Sequence, residues 1–277
     1  MNLNSVNTNI SAMTALQSLN RTNEALAGVQ KRVSTGYRVS DAKDDGGAFA
    51  VAQSVRADVA GLTAANEQLG GLKGIVDVSL QGLGQVSKTM VELRTVLTRL
   101  ADGTINDEQR GQYEQQYSQL RTQVERFIDD ATYNGRSLLS VDAAAGGGDI
   151  VSIRNEGGTT LTLAAFDGTT DLLVAAAPAD EAAARAAITG DWTTVNQAIN
   201  DALNRLGSDA NYIDSQVSYN RDKLDAVESG LGALIDADIA KEAARLQALQ
   251  IRQQLGTQTL SITNQSPQAL ISLFGGR

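Results

Sequence analysis

AFAVAQSVRADVAGLTAANEQLGGLKGIVDVSLQGLGQVSKTMVELRTVLTRL, residues 48–100, is the stretch whose reading decides the fold. Ala48, Val51, Val55, Asp58, Leu62, Ala65, Leu69, Leu72, Val76, Ser79, Leu83, Val86, Met90, Leu93, Leu97 and Leu100 follow one another in alternating steps of three and four. That is the seam spacing of a coiled-coil helix. At about 1.5 Å per residue it predicts a rod of roughly 80 Å, which cannot bury its own seam and needs helical partners. Ala101-Asp102-Gly103 ends it. A second helix is predicted over 107–131, with Tyr113, Tyr117, Leu120, Val124 and Phe127 on its seam. The short connection makes the two antiparallel neighbours. The same spacing returns at Asn196, Ile199, Leu203, Leu206, Ala210, Ile213, Val217, Asn220, Leu224, Val227, Leu231 and Leu234.

Outward from these helices, both ends of the chain are amphipathic. Leu3, Val6, Ile10 and Met13, then Leu16, Leu19, Leu26 and Val33, keep the spacing with one shift between Met13 and Leu16. Near the other end, Ala248, Ile251, Leu255 and Ile262 form one stripe, completed by Gln258, while Leu246, Leu249 and Leu260 form another beside it. Pro267 is read as a helix break, followed by Leu270, Ile271, Leu273 and Phe274. The two ends are expected to pair with each other. A segment apolar on two sides needs a second partner, and that partner is expected outside the chain. Residues 39–47 read as an ordered loop, with Asp44 and Asp45 favoured near the start of the following helix.

Between 133 and 190 the character changes. Residues 143–148 (AAAGGG) read as flexible, and 150–154 with 159–163 as a hairpin around Asn155-Glu156-Gly157-Gly158. A further strand is expected at 171–174 and a short alanine-rich helix at 180–188, the whole being a small insertion on a helical body.

Composition removes many functions. The chain has 277 residues, no cysteine and no histidine. Disulfides, thiolate zinc sites, cysteine nucleophiles and histidine bases are therefore excluded. A formal charge of −9 argues against nucleic-acid binding. No apolar run approaches the roughly 20 residues of a membrane span. Met1-Asn2-Leu3-Asn4 lacks the basic start of a cleavable secretory signal.

The motifs with chemical overtones read better as structure. Gly82-Leu83-Gly84-Gln85-Val86-Ser87-Lys88-Thr89 half-matches a phosphate-binding loop, but it sits inside an unbroken heptad seam. Asp41, Lys43 and Asp45 before Gly46 resemble the start of a calcium loop whose twelfth position is Ala52 instead of Glu. The Asp44–Asp45 and Asp129–Asp130 pairs read as solvated helix ends. Three Asn-x-Ser/Thr sequons, at Asn9, Asn20 and Asn264, fall in predicted helix and are discounted. No catalytic, cofactor or metal site is expected.

At this point the chain resembles the bacterial flagellins. The run from Leu3 through Ser34-Thr35-Gly36-Tyr37-Arg38-Val39 to Ser40-Asp41-Ala42-Lys43-Asp44-Asp45 is similar to that family's first helix and its following loop. Ala131-Thr132-Tyr133-Asn134-Gly135-Arg136-Ser137-Leu138-Leu139 resembles its FNG-LL turn, and Arg245 onward, with Gln265-Ser266-Pro267-Gln268, its C-terminal helix. The resemblance implies a filament subunit, exported by the flagellar type III route through an uncleaved N-terminus. Implied partners are further copies of itself, an export chaperone on the C-terminus, and the filament cap and hook-junction proteins. Terminal helices would line the filament core. Glu92-Leu93-Arg94-Thr95-Val96 stands where the family's innate-receptor patch carries Arg-Val-Arg-Glu-Leu, which implies weak recognition.

The fold class expected is mainly α, an elongated antiparallel helical coiled-coil bundle with a small β-hairpin insertion. Residues 1–37 plus 239–277 would form the terminal coiled coil, 38–238 a helical shell, and 140–190 a surface insertion within it. Subunit contacts are expected at Leu3, Val6, Ile10, Met13, Leu16, Leu19, Leu246, Leu249, Ile251, Leu255, Leu260, Ile262, Leu270, Ile271, Leu273 and Phe274. Thr159, Thr160, Thr169 and Thr170 in the insertion are candidates for O-glycosylation. A hook–filament junction protein and a cytosolic coiled-coil scaffold are the competing readings.

Overall fold

The computed structural model describes the backbone of residues 9–274, with side-chain surroundings for 9–265 except Ala143. Its elements are α1 (Ile10–Thr35), α2 (Gly46–Leu100), α3 (Asp107–Asp130), a 3-10 turn (Ala143–Ala145), β1 (Ile150–Ile153), β2 (Thr160–Leu163), α4 (Glu181–Thr189), α5 (Asp191–Ile235) and α6 (Ile239–Phe274). The chain divides into two compact units, Met1–Ala57 with Val227–Arg277, and Asp58–Ala226, with α2 and α5 contributing to both.

In the Asp58–Ala226 unit the heptad seam of α2 is the core. Leu62, Leu69, Leu83, Met90, Leu93, Leu97 and Leu100 are fully buried. Ser79 is buried on the same seam, and its hydroxyl donates to the Ile75 carbonyl at 2.8 Å, so this hydroxyl is not left unpaired. A capping box at Asn106 and Gln109 starts α3, which buries Tyr117, Val124 and Ile128. On α5, Ile199, Leu206 and Ile213 are buried at the spacing read from the sequence. Of the two polar members of that seam, Asn196 and Asn220, the second is fully buried and works as a junction. Its Nδ2 donates to Asn66 Oδ1 at 3.0 Å on α2 and to the Arg154 carbonyl at 2.9 Å beside the hairpin. Its Oδ1 accepts from Gln216 at 2.9 Å. A buried amide with three fixed partners sets register where leucines alone would tolerate sliding.

The seam of α2 slips upstream of Leu62. Val51 is exposed and Ala52 is buried, in a small core with Val39 and Ile235, against which Phe49, Leu231 and Leu234 pack. The helix period alone does not say which face a partner will take.

The expected hairpin forms, β1 pairing antiparallel with β2 in the register Ile150 to Leu163. The alanine-rich helix forms as well, as α4 with Asp180 as its N-cap, but two expectations for 133–190 are corrected. Residues 143–148 are held rather than flexible: Ser137 N–H donates to the Gly146 carbonyl at 3.1 Å, and Gly148 N–H to that of Ser140 at 2.8 Å. A Cβ at Gly146 would stand 1.9 Å from the Gly135 carbonyl oxygen, so the glycines permit close packing of backbone on backbone. No strand forms at 171–174. Leu172, Leu173 and Val174 are buried in an irregular segment that belongs to the same core as α2. Burial of three consecutive side chains in the helical core sets the path of this segment in place of strand pairing. The Tyr133–Arg136 turn has Asn134 at φ 50° and Gly135 at φ 72°, the primed-turn conformation that an Asn-Gly pair favours.

Candidate assembly surface

In the unit built from the chain's two ends, α1 packs against α6. Four points fix the pair as antiparallel. Arg32 donates to Glu242 Oε2 through Nε at 3.1 Å and Nη2 at 3.0 Å. Gln253 Nε2 donates to Asn23 Oδ1 at 2.8 Å. A Cβ at Gly256 would stand 3.1 Å from Leu19 Cδ1, so the missing side chain lets Leu19 in. Asn9 Nδ2 donates to the Thr263 carbonyl at 2.9 Å.

On α6 these contacts lie on one stripe: Glu242, Leu246, Leu249, Gln253, Gly256, Leu260 and Thr263, spaced by alternating fours and threes and all buried or half-buried. Leu246, Leu249 and Leu260, predicted to meet another subunit, therefore lie on the seam with α1. Leu19 does the same from α1, where Leu26 and Val29 are buried. Glu242 is the polar anchor of this seam, 7% exposed, and Arg245 donates to its second oxygen at 3.1 Å. Sequence reading passed over Glu242, Arg32, Asn23, Gln253 and Asn9. The signal available was that the leucine stripe of α6 continues at the same spacing through polar and small residues.

Six other predicted residues face outward. Ile10, Met13 and Leu16 are 52%, 63% and 50% exposed, and Ile251, Leu255 and Ile262 are 57%, 57% and 63% exposed. Single exposed leucines need no explanation, but two stripes on one helix pair do. The pair also carries a groove of about 800 Å³, lined by Ile10, Ser11, Thr14, Ala15, Ser18, Leu19 and Thr22 of α1 with Arg252, Leu255, Gly256, Thr259 and Thr263 of α6, so that one residue of each stripe borders it. Four of those hydroxyls bond back to their own helices, Thr14 to Ile10, Thr22 to Ser18, Thr259 to Leu255 and Thr263 to Thr259. With their hydroxyls engaged, these threonines offer methyl groups, so the groove is less polar than its composition.

Leu3 and Val6 lie outside the described residues. The backbone of Leu270, Ile271, Leu273 and Phe274 belongs to α6, which corrects the expected break at Pro267. The carbonyl that this proline leaves without its usual donor, that of Thr263, accepts from Asn9 instead. The side chains of those four residues lie outside the described set. Thr159, Thr160, Thr169 and Thr170 are all exposed, and the Thr169 hydroxyl donates to Asp167 Oδ1 at 2.8 Å. Among the described residues no helix is long and apolar enough to cross a membrane.

Comparison with known proteins fits this arrangement. Residues 6–144 match the bacterial flagellin N-terminal helical region, and residues 192–274 the flagellin C-terminal helical region. Flagellin FljK of Caulobacter vibrioides is 33% identical over 281 aligned residues, spanning 99% of this chain and 100% of its own. The crystal structure of Bacillus cereus flagellin is 26% identical with a TM-score of 0.50, covering 56% of this chain and 88% of that one. A putative flagellar hook-associated protein from Vibrio parahaemolyticus, at 13% identity and a TM-score of 0.56, covers 70% of this chain and 100% of its own and shares the fold. Matched at both ends and aligned over nearly its whole length with flagellins, the chain belongs to the bacterial flagellin family, whose members are structural subunits, not enzymes, that polymerise into the flagellar filament.

Proposed function

We propose that the outer stripes of the α1–α6 pair, Ile10, Met13 and Leu16 with Ile251, Leu255 and Ile262, are where copies of this chain meet in the filament. The observation that carries this reading is their exposure of half or more on helices whose other faces are already satisfied. Six half-exposed side chains, each giving up about half of the roughly 1.5–3 kcal/mol of full burial, offer a gross gain of roughly 5–9 kcal/mol per subunit. Association entropy takes up much of that, so a single contact would be weak and a repeating lattice stable. The occupant of the threonine-lined groove is a terminal helix of another copy, meeting it heterologously so that the contact propagates.

In this reading, residues 1–37 and 239–277 form the filament core and 38–238 its shell, with 140–190 facing outward. Leu3, Val6, Leu270, Ile271, Leu273 and Phe274 extend the contact. The chain leaves the cell through the flagellar export route, with a chaperone covering its C-terminus, and meets cap and hook-junction proteins at the filament ends. Thr159, Thr160, Thr169 and Thr170 are the glycosylation candidates, and host recognition is weak, because Glu92 is exposed and Arg94 lies over the Trp192 ring at 4.6 Å.

The test is salt-induced polymerisation of Met13→Asp and Leu255→Asp, followed by sedimentation and electron microscopy. Both variants are predicted to keep the wild-type circular dichroism of the folded unit and to form no filaments. Filaments of normal length and yield from both would contradict the assignment.

A further inference from the structure

Pro267 lies inside α6, which runs without interruption to Phe274. Proline has no N–H, and its ring presses on the carbonyl four residues earlier. In α6 that carbonyl belongs to Thr263, and Asn9 Nδ2 donates to it at 2.9 Å. Asn9 is at the same time the N-cap of α1, its Oδ1 accepting from the Ala12 N–H at 3.0 Å. One side-chain amide thus spends its acceptor on starting one terminal helix and its donor on the carbonyl that the proline of the other leaves without a partner. The reverse orientation of the amide would set two acceptors face to face at Thr263 and two donors at Ala12. Both jobs need an amide of this length: aspartate lacks the donor, serine has one shorter hydroxyl in place of two polar atoms, and alanine has neither donor nor acceptor.

We propose that Asn9 couples the start of α1 to the continuation of α6 beyond Pro267, so that the last turns of α6 hold only while α1 is docked. The proline makes those turns conditional, since any other residue would supply its own N–H to Thr263. The two ends of the chain then order together or not at all, and a subunit with an undocked N-terminus does not present a finished C-terminal helix.

The test is a double-mutant cycle on the full-length protein, reading amide exchange at residues 268–274 in pelleted filaments. Asn9→Asp keeps the cap of α1 and removes the donor. It is expected to speed exchange at 268–274 about tenfold, the factor corresponding to one partly buried hydrogen bond, while Ala12 changes little. In a Pro267→Ala background, where the helix supplies its own donor, the same substitution is expected to change exchange less than about twofold. Unaltered exchange in Asn9→Asp, or an effect that persists beside Pro267→Ala, would overturn the coupling. If Asn9→Asp does not pellet, recovery of pelleting by adding Pro267→Ala supports the coupling and continued solubility overturns it. The readout rests on the filament reading, and the two fail differently: a wild-type chain that never pellets sinks that reading, whereas wild-type filaments with an unaltered Asn9→Asp variant sink the coupling.

Discussion

Gly82 and Gly84 stand two residues apart in the stretch that half-matches a phosphate loop, and their surroundings separate them. A Cβ at Gly82 would lie 2.7 Å from Ala131 Cβ and 3.2 Å from the Phe127 carbonyl oxygen, whereas one at Gly84 would meet nothing within 4 Å. Gly82 is there to let the end of α3 approach α2. Gly82→Ala is predicted to destabilise by about 1–3 kcal/mol through overpacking. Gly84→Ala is predicted to stabilise by up to about 1 kcal/mol through helix propensity. Urea unfolding of the two variants decides it, and equal effects would show that the close approach is not the reason for Gly82. The loop before α2 gives a second residue-scale test. Lys31 Nζ bonds Asp41 at 2.6 Å and Asp44 at 2.9 Å. Lys31 is the leading cause that holds both carboxyls below the usual carboxylate range, with backbone N–H groups of Lys43 and Ser40 adding to it. Because the folded values are the lower ones, the stability gained is present at neutral pH and is lost as pH falls through them. Lys31 itself is raised by the same bonds, so its share is intact below the ordinary lysine value and lost above the raised one. The difference in unfolding temperature between wild type and Lys31→Met should therefore stay constant over about pH 5–8 and shrink toward pH 2. A constant difference down to pH 2 would remove the carboxylates from the explanation.

At the scale of elements, periodicity made the helices legible from the sequence, because coiled-coil seams repeat over many turns and errors average out. Every α2 seam residue from Leu62 to Leu100 is buried as read. Upstream of Leu62 the reading failed, since a period gives a face but not the partner that covers it. On α6 the sequence showed two stripes without saying which one the chain keeps for itself. The answer lay in polar and small residues, Glu242, Gln253 and Gly256, whose partners are more than 200 positions away and invisible to a local window. Pro267 misled for a related reason, because its orphaned carbonyl is satisfied by a residue near the opposite end of the chain. The buried charge makes the choice of seam testable. Glu242→Ala leaves Arg32 without the carboxylate oxygen that accepts from both its Nε and its Nη2, and should loosen that end of the α1–α6 pair. Amides of residues 26–35 are predicted to exchange at least about tenfold faster, with little change in α3. Uniform acceleration across α1 and α3 would mean that Glu242 supports the whole fold and not this seam.

For the whole molecule, the question is what the uncovered stripes do when subunits join. A heterologous contact that does not close produces a filament of any length, and the stripes are then hidden in every subunit but those at the ends. The chain has no cysteine, so a single introduced thiol reports one position without interference. Met13→Cys on α1 and Ile251→Cys on α6 each sit on an outer stripe, and Thr160→Cys on β2 is an exposed position in the other unit. Maleimide labelling of the three variants as monomers and as pelleted filaments tests the central claim most directly. Labelling at positions 13 and 251 should be rapid in the monomer and at least about tenfold slower in the filament, while position 160 reacts at the same rate in both. Equal rates at 13 and 251 in monomer and filament would contradict the assignment of these faces as the subunit contact.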